Sequence, residues 1–150
     1  MKKLRVTLSV FELPWNYTCD GEDISPEIEV DGVDAPTMAL IMMDPDAPGG
    51  GRFCHWVMWN MEPVSIIPED IPGEPEVSFP IRAVQGTNSF GRIGYNGPCP
   101  PKGEAHRYQF KVYTLDRPLD LPAGASLEEL ERAMEGHVVG YGDTHIRYGR

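Results

Sequence analysis

Cysteine is scarce in these 150 residues: Cys19, Cys54 and Cys99 stand far apart, with neither a Cys-x-x-Cys pair nor zinc-finger spacing. That excludes a zinc module and a dithiol redox motif. At this length folding hides roughly 70% of the unfolded chain's surface, so a core needs neither disulfides nor a structural metal. Positive charge is also in short supply, with 13 Lys and Arg against 23 Asp and Glu and a formal net charge of −10. Such a surface repels nucleic acid and anionic membrane, so no nucleic-acid partner and no stable membrane insertion are expected. Only a local site that overcomes the global field could hold an anion. No hydrophobic run approaches the length of a membrane-spanning helix. Repeats, low-complexity tracts and long linkers are missing too, which predicts one domain over residues 1–150. At the N-terminus, Leu4, Val6, Leu8 and Val10 alternate with Lys3, Arg5, Thr7 and Ser9. This is the pattern of a half-buried strand rather than a signal peptide, and the expected compartment is the cytoplasm.

What the chain does have is proline and glycine, 15 and 16 residues dispersed along its length. Dispersed Pro and Gly break helices and shape turns, which favours strands and loops. Met38–Met43 and His55–Met61 are apolar on both faces, as expected of central strands. Between them Asp44-Pro45-Asp46-Ala47-Pro48 and three glycines form an abrupt stop. Val64–Asn88 reads as a long Pro-rich excursion with one short strand near Val77–Phe79. In His106–Leu115, His106, Tyr108, Phe110 and Val112 share one face, and Arg107, Gln109 and Lys111 the other. One segment reads as helix: Ser126 and Glu129 make a capping box, Leu127, Leu130, Met134 and Val138 an apolar stripe, and Gly140 is placed to end it. A last strand runs from about Asp143 to Tyr148. The pattern predicts a mainly β, sandwich-like domain with minor helix.

The candidate chemistry lies at strand ends. Alternation puts Asp44 on a face with Met42 and Leu40, His55 on a face with Val57 and Trp59, and His106 with Tyr108 on the core face of their strand. Buried polar groups need partners, so these groups are expected to meet one another or a common ligand. Two loops sharpen the expectation. Pro45 and Pro48 stiffen the support of Asp44. The stretch Gly94-Tyr95-Asn96-Gly97-Pro98-Cys99-Pro100-Pro101-Lys102-Gly103 leads into His106 and combines permissive glycines with rigid apolar walls. Consecutive N–H groups in such a turn can cradle an anion.

The DPDAP loop at Asp44–Pro48, the Cys54-His55-Trp56 element and the run GYNGPCPPKGEAHRYQFKVYTLD from Gly94, with Ser25-Pro26, Gly91, Gly136-His137 and Tyr148-Gly149-Arg150, form a specific set. It resembles the phosphatidylethanolamine-binding protein family, which includes the Raf kinase inhibitor proteins, and within it the shorter bacterial and archaeal branch. The resemblance runs from about Asp20 to Tyr148. It implies a two-sheet antiparallel β-sandwich with one or two short helices and a pocket for phosphate-like, phosphoethanolamine-like or carboxylate groups. Carried over by motif, the ligand-binding residues are Asp44, Pro48, His55, Gly97, Pro98, Pro100, Pro101, His106 and Tyr108. No cofactor and no metal are implied, and binding rather than catalysis is expected. Eukaryotic members continue into a C-terminal helix that borders the pocket. Here the chain stops at Arg150, so that wall is expected to be absent or supplied by a second subunit, as in a homodimer.

In the expected mechanism His55 and His106 donate to ligand oxygens, helped by the Tyr108 hydroxyl and main-chain N–H groups near Gly97. Asp44 orients a histidine and favours its charged form, so anion affinity falls as pH rises through the histidine titration. Three alternatives follow from the residues. His55, His106 and Asp44 could form a two-His, one-carboxylate metal site of a hydrolase. Cys99 and His106 could act as nucleophile and base. The Pro-rich excursion from Val64 to Phe90 could inhibit a partner protein, a protease or a kinase.

Overall fold

The computed structural model describes residues 1–150 and shows a mainly β architecture of two sheets. Its strands are β1 (Lys2–Lys3), β2 (Arg5–Thr7), β3 (Ile28–Asp31), β4 (Thr37–Asp44), β5 (Phe53–Met61), β6 (Ile66–Ile67), β7 (Glu76–Val77), β8 (Ala83–Gln85), β9 (Ala105–Leu115) and β10 (Val138–Gly149). The larger sheet has the order β1-β10-β9-β4-β5-β8-β7 and the smaller β2-β3-β6. All pairings are antiparallel except β1 with β10.

The two-faced hydrophobicity of β4 and β5 has a direct cause. One face of the large sheet meets the small sheet, where Leu40, Met42, Trp56, Met58, Phe110 and Val112 pack with Val6, Ile28, Val30 and Ile67. The other face, with Ile41, Met43, Val57 and Trp59, is covered by helix α1 (Leu127–Met134) through Leu127, Leu130 and Met134. Every residue of β4 is buried as a result. Truncating Leu40 to Ala in this setting would cost about 3 kcal/mol.

The capping box of α1 forms as its sequence requires. Ser126 Oγ accepts from the Glu129 N–H at 3.2 Å, and Glu129 Oε1 accepts from the Ser126 N–H at 3.0 Å. Its end differs from expectation. The helix stops at Met134, Gly136 adopts φ +80°, and Val138 begins β10 instead of extending the apolar stripe. Gly140 ends no helix. It lies inside β10, where a Cβ would run into the Thr114 hydroxyl.

The first strand is shorter than its alternation suggests. Regular pairing ends at Thr7, Val10 is exposed and Phe11 is entirely so. The excursion carries β6, β7 and β8, with Val77 ending β7 rather than opening a strand toward Phe79. Cys19 and Cys99, separated by 80 positions, are joined in a disulfide that no local spacing marks.

Candidate functional site

Strands β4, β5 and β9 bring Asp44, His55, His106 and Tyr108 to one end of the large sheet, around a cavity of about 210 Å³. The β4–β5 ladder places Met42 opposite Trp56 but Met43 opposite Cys54, leaving His55 as the extra residue of a bulge. A bulge re-aims side chains that regular alternation would send elsewhere. The expectation that His55 shares a face with Val57 and Trp59 is therefore corrected. Those two pack under the helix with Cys54, while the His55 ring meets Tyr108 edge-to-face at 5.3 Å on the cavity side.

His55 is fixed by the second loop. Its Nδ1 donates to the Asn96 carbonyl at 2.6 Å, and the Asn96 N–H donates back to the His55 carbonyl at 3.2 Å. A carbonyl only accepts, so Nδ1 carries the hydrogen, and Nε2 makes no hydrogen bond inside the protein. Burial pulls the His55 pKa below the usual histidine value, and the Asn96 carbonyl with the Asp44 and Asp23 charges offset this only in part. The neutral ring offers the cavity a lone pair.

His106 is in the opposite situation. Its Nδ1 lies 2.7 Å from Asp44 Oδ2 and its Nε2 3.0 Å from Glu104 Oε1. Burial opposes its charge, but the hydrogen bonds and charges of Asp44 and Glu104 outweigh that and raise its pKa. Asp44 is itself set by its loop, Oδ1 accepting from the Asp46 N–H at 2.9 Å. Asp46 in turn accepts from the Arg107 N–H at 2.7 Å and pairs with its guanidinium. Tyr108 sits between the two imidazoles, stacked on His106 at 6.3 Å. Burial, then the charges of Asp44 and Asp46, raise the Tyr108 pKa, so its hydroxyl stays protonated. That hydroxyl has no partner in the protein and is not sealed off from the cavity.

Of the residues expected at the site, Asp44, Pro48, His55, Pro100, Pro101, His106 and Tyr108 line the cavity. Gly97 and Pro98 do not. The Gly97 N–H is spent on Asp23 Oδ1 at 2.9 Å, so it is not a donor for a ligand, and a Cβ there would strike the Tyr17 carbonyl. The Pro98 carbonyl accepts from the Cys19 N–H at 3.2 Å, holding the wall from behind. Phe53, Phe90, Ala47 and Cys99 complete the lining and Glu104 caps His106; of these only Cys99 is a candidate from the sequence, and there as a nucleophile rather than as part of the wall. Phe53 and Glu104 each stand two residues before an expected histidine, where period-2 alternation could have found them. Nothing local marks Phe90. Its loop is brought in by Ser89, whose Oγ accepts from the Cys54 N–H at 2.8 Å and whose N–H donates to the Cys54 carbonyl at 2.8 Å.

The nucleophile–base alternative fails because Cys99 Sγ is bonded to Cys19. His55, His106 and Asp44 do not converge as metal ligands. Asp44 and His106 are bonded to each other and His55 Nδ1 to a carbonyl, and no group of three His, Cys, Asp or Glu is arranged to hold a metal ion.

Solved structures share this architecture over their whole length. A phosphatidylethanolamine-binding protein homologue from Chlamydia trachomatis superposes with a TM-score of 0.87 at 34% identity, covering 100% of this chain and 99% of the other. Escherichia coli YbcL, described as a member of the mammalian family of that name, gives 0.84 at 29% identity, with 98% of each chain covered. A UPF0098 protein of Pyrococcus horikoshii is 54% identical over 141 residues, 92% of this chain and 71% of its own length. The phosphatidylethanolamine-binding protein family pattern matches residues 9–149, and the chain belongs to that family.

Proposed function

We propose that the cavity binds a small anionic group of the phosphate or carboxylate type, such as a phosphoethanolamine-like lipid head group, and that the protein acts by binding rather than by turnover. The observation that carries this reading is the set of three complementary groups around one cavity: the charged imidazole of His106, the neutral imidazole of His55 and the unpartnered hydroxyl of Tyr108. His106 offers charge to an oxyanion and Tyr108 a hydrogen. His55 Nε2 accepts, which favours a ligand with its own O–H or N–H, such as a monoanionic phosphate ester. Sequence reasoning makes both histidines donors; in this reading His55, whose Nδ1–H is given to the Asn96 carbonyl, accepts instead. The volume is below that of drug-sized pockets and suits a head group.

Binding over turnover is supported by the state of the thiols. Cys99 is oxidised, while Cys54 faces the helix-side core and burial pushes its thiol up to about 12. No helix is long and apolar enough to cross a membrane. We read the compartment as the cytoplasm.

Calorimetric titration of inorganic phosphate and phosphoethanolamine into the wild type and His106→Ala, at pH 6 and pH 8, tests the proposal. Saturable binding that weakens at pH 8 and is lost in the variant is expected. Absence of binding to the wild type at both pH values would overturn it.

One observation favours a second reading. Phe79, in the Pro-rich excursion, is 80% exposed and available to a partner such as a protease or kinase, or to a second copy in a homodimer. Inhibition of a partner that survives His106→Ala but not Phe79→Ser would support it.

A further inference from the structure

We propose that Glu104 is a built-in competing anion. Its carboxylate holds the outer nitrogen of His106, so a ligand oxygen reaches that nitrogen only by displacing it, and the site thereby holds every anion more weakly than its charged imidazole would allow. The inference rests on the anion-binding reading above and names the residue that limits its affinity.

The geometry distinguishes the two carboxylates on His106. Asp44, with a side chain 6% exposed, is locked from below by the Asp46 N–H and cannot leave. Glu104, with a side chain 56% exposed, has one oxygen 3.0 Å from Nε2 and solvent on its other side. Its backbone, by contrast, is fixed at the rim. The Glu104 N–H donates to the Pro101 carbonyl at 3.0 Å, and its carbonyl accepts from the Arg150 N–H at 3.0 Å. The result is a tethered carboxylate with a free arm. With Nδ1 taken by Asp44, Nε2 is the one His106 nitrogen a ligand could use.

The nearby guanidiniums do not relieve the competition. Arg107 is paired with Asp46, and Arg150 with Asp20 at 3.0 Å and the Pro100 carbonyl at 3.2 Å. An incoming free carboxylate exchanges one carboxylate–imidazolium contact for another and loses its own freedom of motion. A phosphate oxygen brings more negative charge to Nε2, and the same phosphate keeps further oxygens for Tyr108 and a P–O–H for His55. Displacing a half-exposed carboxylate is a modest barrier, because exposed ion pairs are weak. A ligand of the right chemistry can therefore overcome it.

The test is calorimetric titration of inorganic phosphate and of acetate at pH 7 into the wild type, Glu104→Gln and Glu104→Asp. In Glu104→Gln phosphate and acetate affinity should both rise by a similar factor, up to about fivefold, because both ligands displace the same exposed carboxylate. Glu104→Asp keeps the charge but shortens the arm, and should follow Glu104→Gln. If Glu104→Asp tracks the wild type, a diffuse field rather than an occupied nitrogen is responsible and the plug is wrong. Phosphate and acetate affinities that are each unchanged from wild type to Glu104→Gln remove the plug and leave the anion pocket standing. No phosphate binding by any of them removes both.

Discussion

The inner wall and the rim of the cavity use the same residue type in opposite ways. At the wall His55 is surrounded by the edges of Phe53, Phe90 and Tyr108 and bonded to a main-chain carbonyl. At the rim His106 bridges two carboxylates, and Asp46 and Arg107 extend the charged chain outward. Burial dominates the first environment and lowers the pKa; hydrogen bonds to anions dominate the second and raise it. A histidine's role in this fold is thus set by what its bonded nitrogen faces, a carbonyl or a carboxylate, and hardly by its position at a strand end. The two halves are also anchored differently. The wall loop is tied through Cys99 to Cys19, whereas the rim is held by ion pairs and strand register.

The largest expected effect separates these anchors. A Cys19→Ser/Cys99→Ser variant frees a loop of about 80 residues in the unfolded chain and should lose about 4.5 kcal/mol of stability to urea. If the wall depends on that bond, phosphate affinity falls while the raised His106 titration seen by NMR stays in place. Movement of both would show that wall and rim are one unit. Next in size is Asp44→Ala, which strands a buried imidazole nitrogen and the Asp46 N–H and should cost about 3 kcal/mol. A loss below about 1 kcal/mol would mean that Asp44 is solvated and the rim is softer than its burial indicates.

Much of this architecture is legible in the amino-acid sequence. Two-faced apolarity marks β4 and β5 as central, alternation puts His106 and Tyr108 on the core face, and the capping box locates α1. What stays hidden depends on register. The bulge that re-aims His55 is a mismatch between two strands, and no single strand's pattern contains it. The end of α1 is misplaced by periodicity because Val138 continues the helical spacing by coincidence, while Gly136 supplies the left-handed turn that stops it. The Cys19–Cys99 bond and the arrival of Phe90 both rest on contacts between segments far apart in sequence. Gly97 is legible as a special position, but for a different reason: it gives room to Tyr17 and Asp23 rather than to a ligand.

A smaller effect should appear in the pH dependence of stability. The raised pKa of His106 stabilises the fold fully below the unfolded histidine value of about 6.5, and that contribution is lost as pH rises through the folded value. The lowered pKa of His55 acts the other way: its contribution is present above about 6.5 and is lost as pH falls through the folded value. The two slopes oppose each other in the wild type. In Asp44→Asn the His106 contribution shrinks and that of His55 grows, because the Asp44 charge no longer offsets its burial, so acidification through pH 6 should destabilise the variant more steeply than the wild type. Parallel pH profiles for the two chains, measured by urea unfolding, would contradict the assignment of opposite roles.

The smallest change probes the group shared by wall and rim. Tyr108→Phe keeps the ring that stacks on His106 and meets His55, and removes only a hydroxyl without a protein partner. Stability should change by less than about 0.5 kcal/mol, because no hydrogen bond in the fold is lost. Phosphate affinity should fall by about 1 kcal/mol, roughly fivefold, because a neutral donor to the ligand is lost. A drop in stability with unchanged affinity would reverse the reading of this residue: the hydroxyl would then serve the fold, and the cavity would recognise its ligand through the two imidazoles alone.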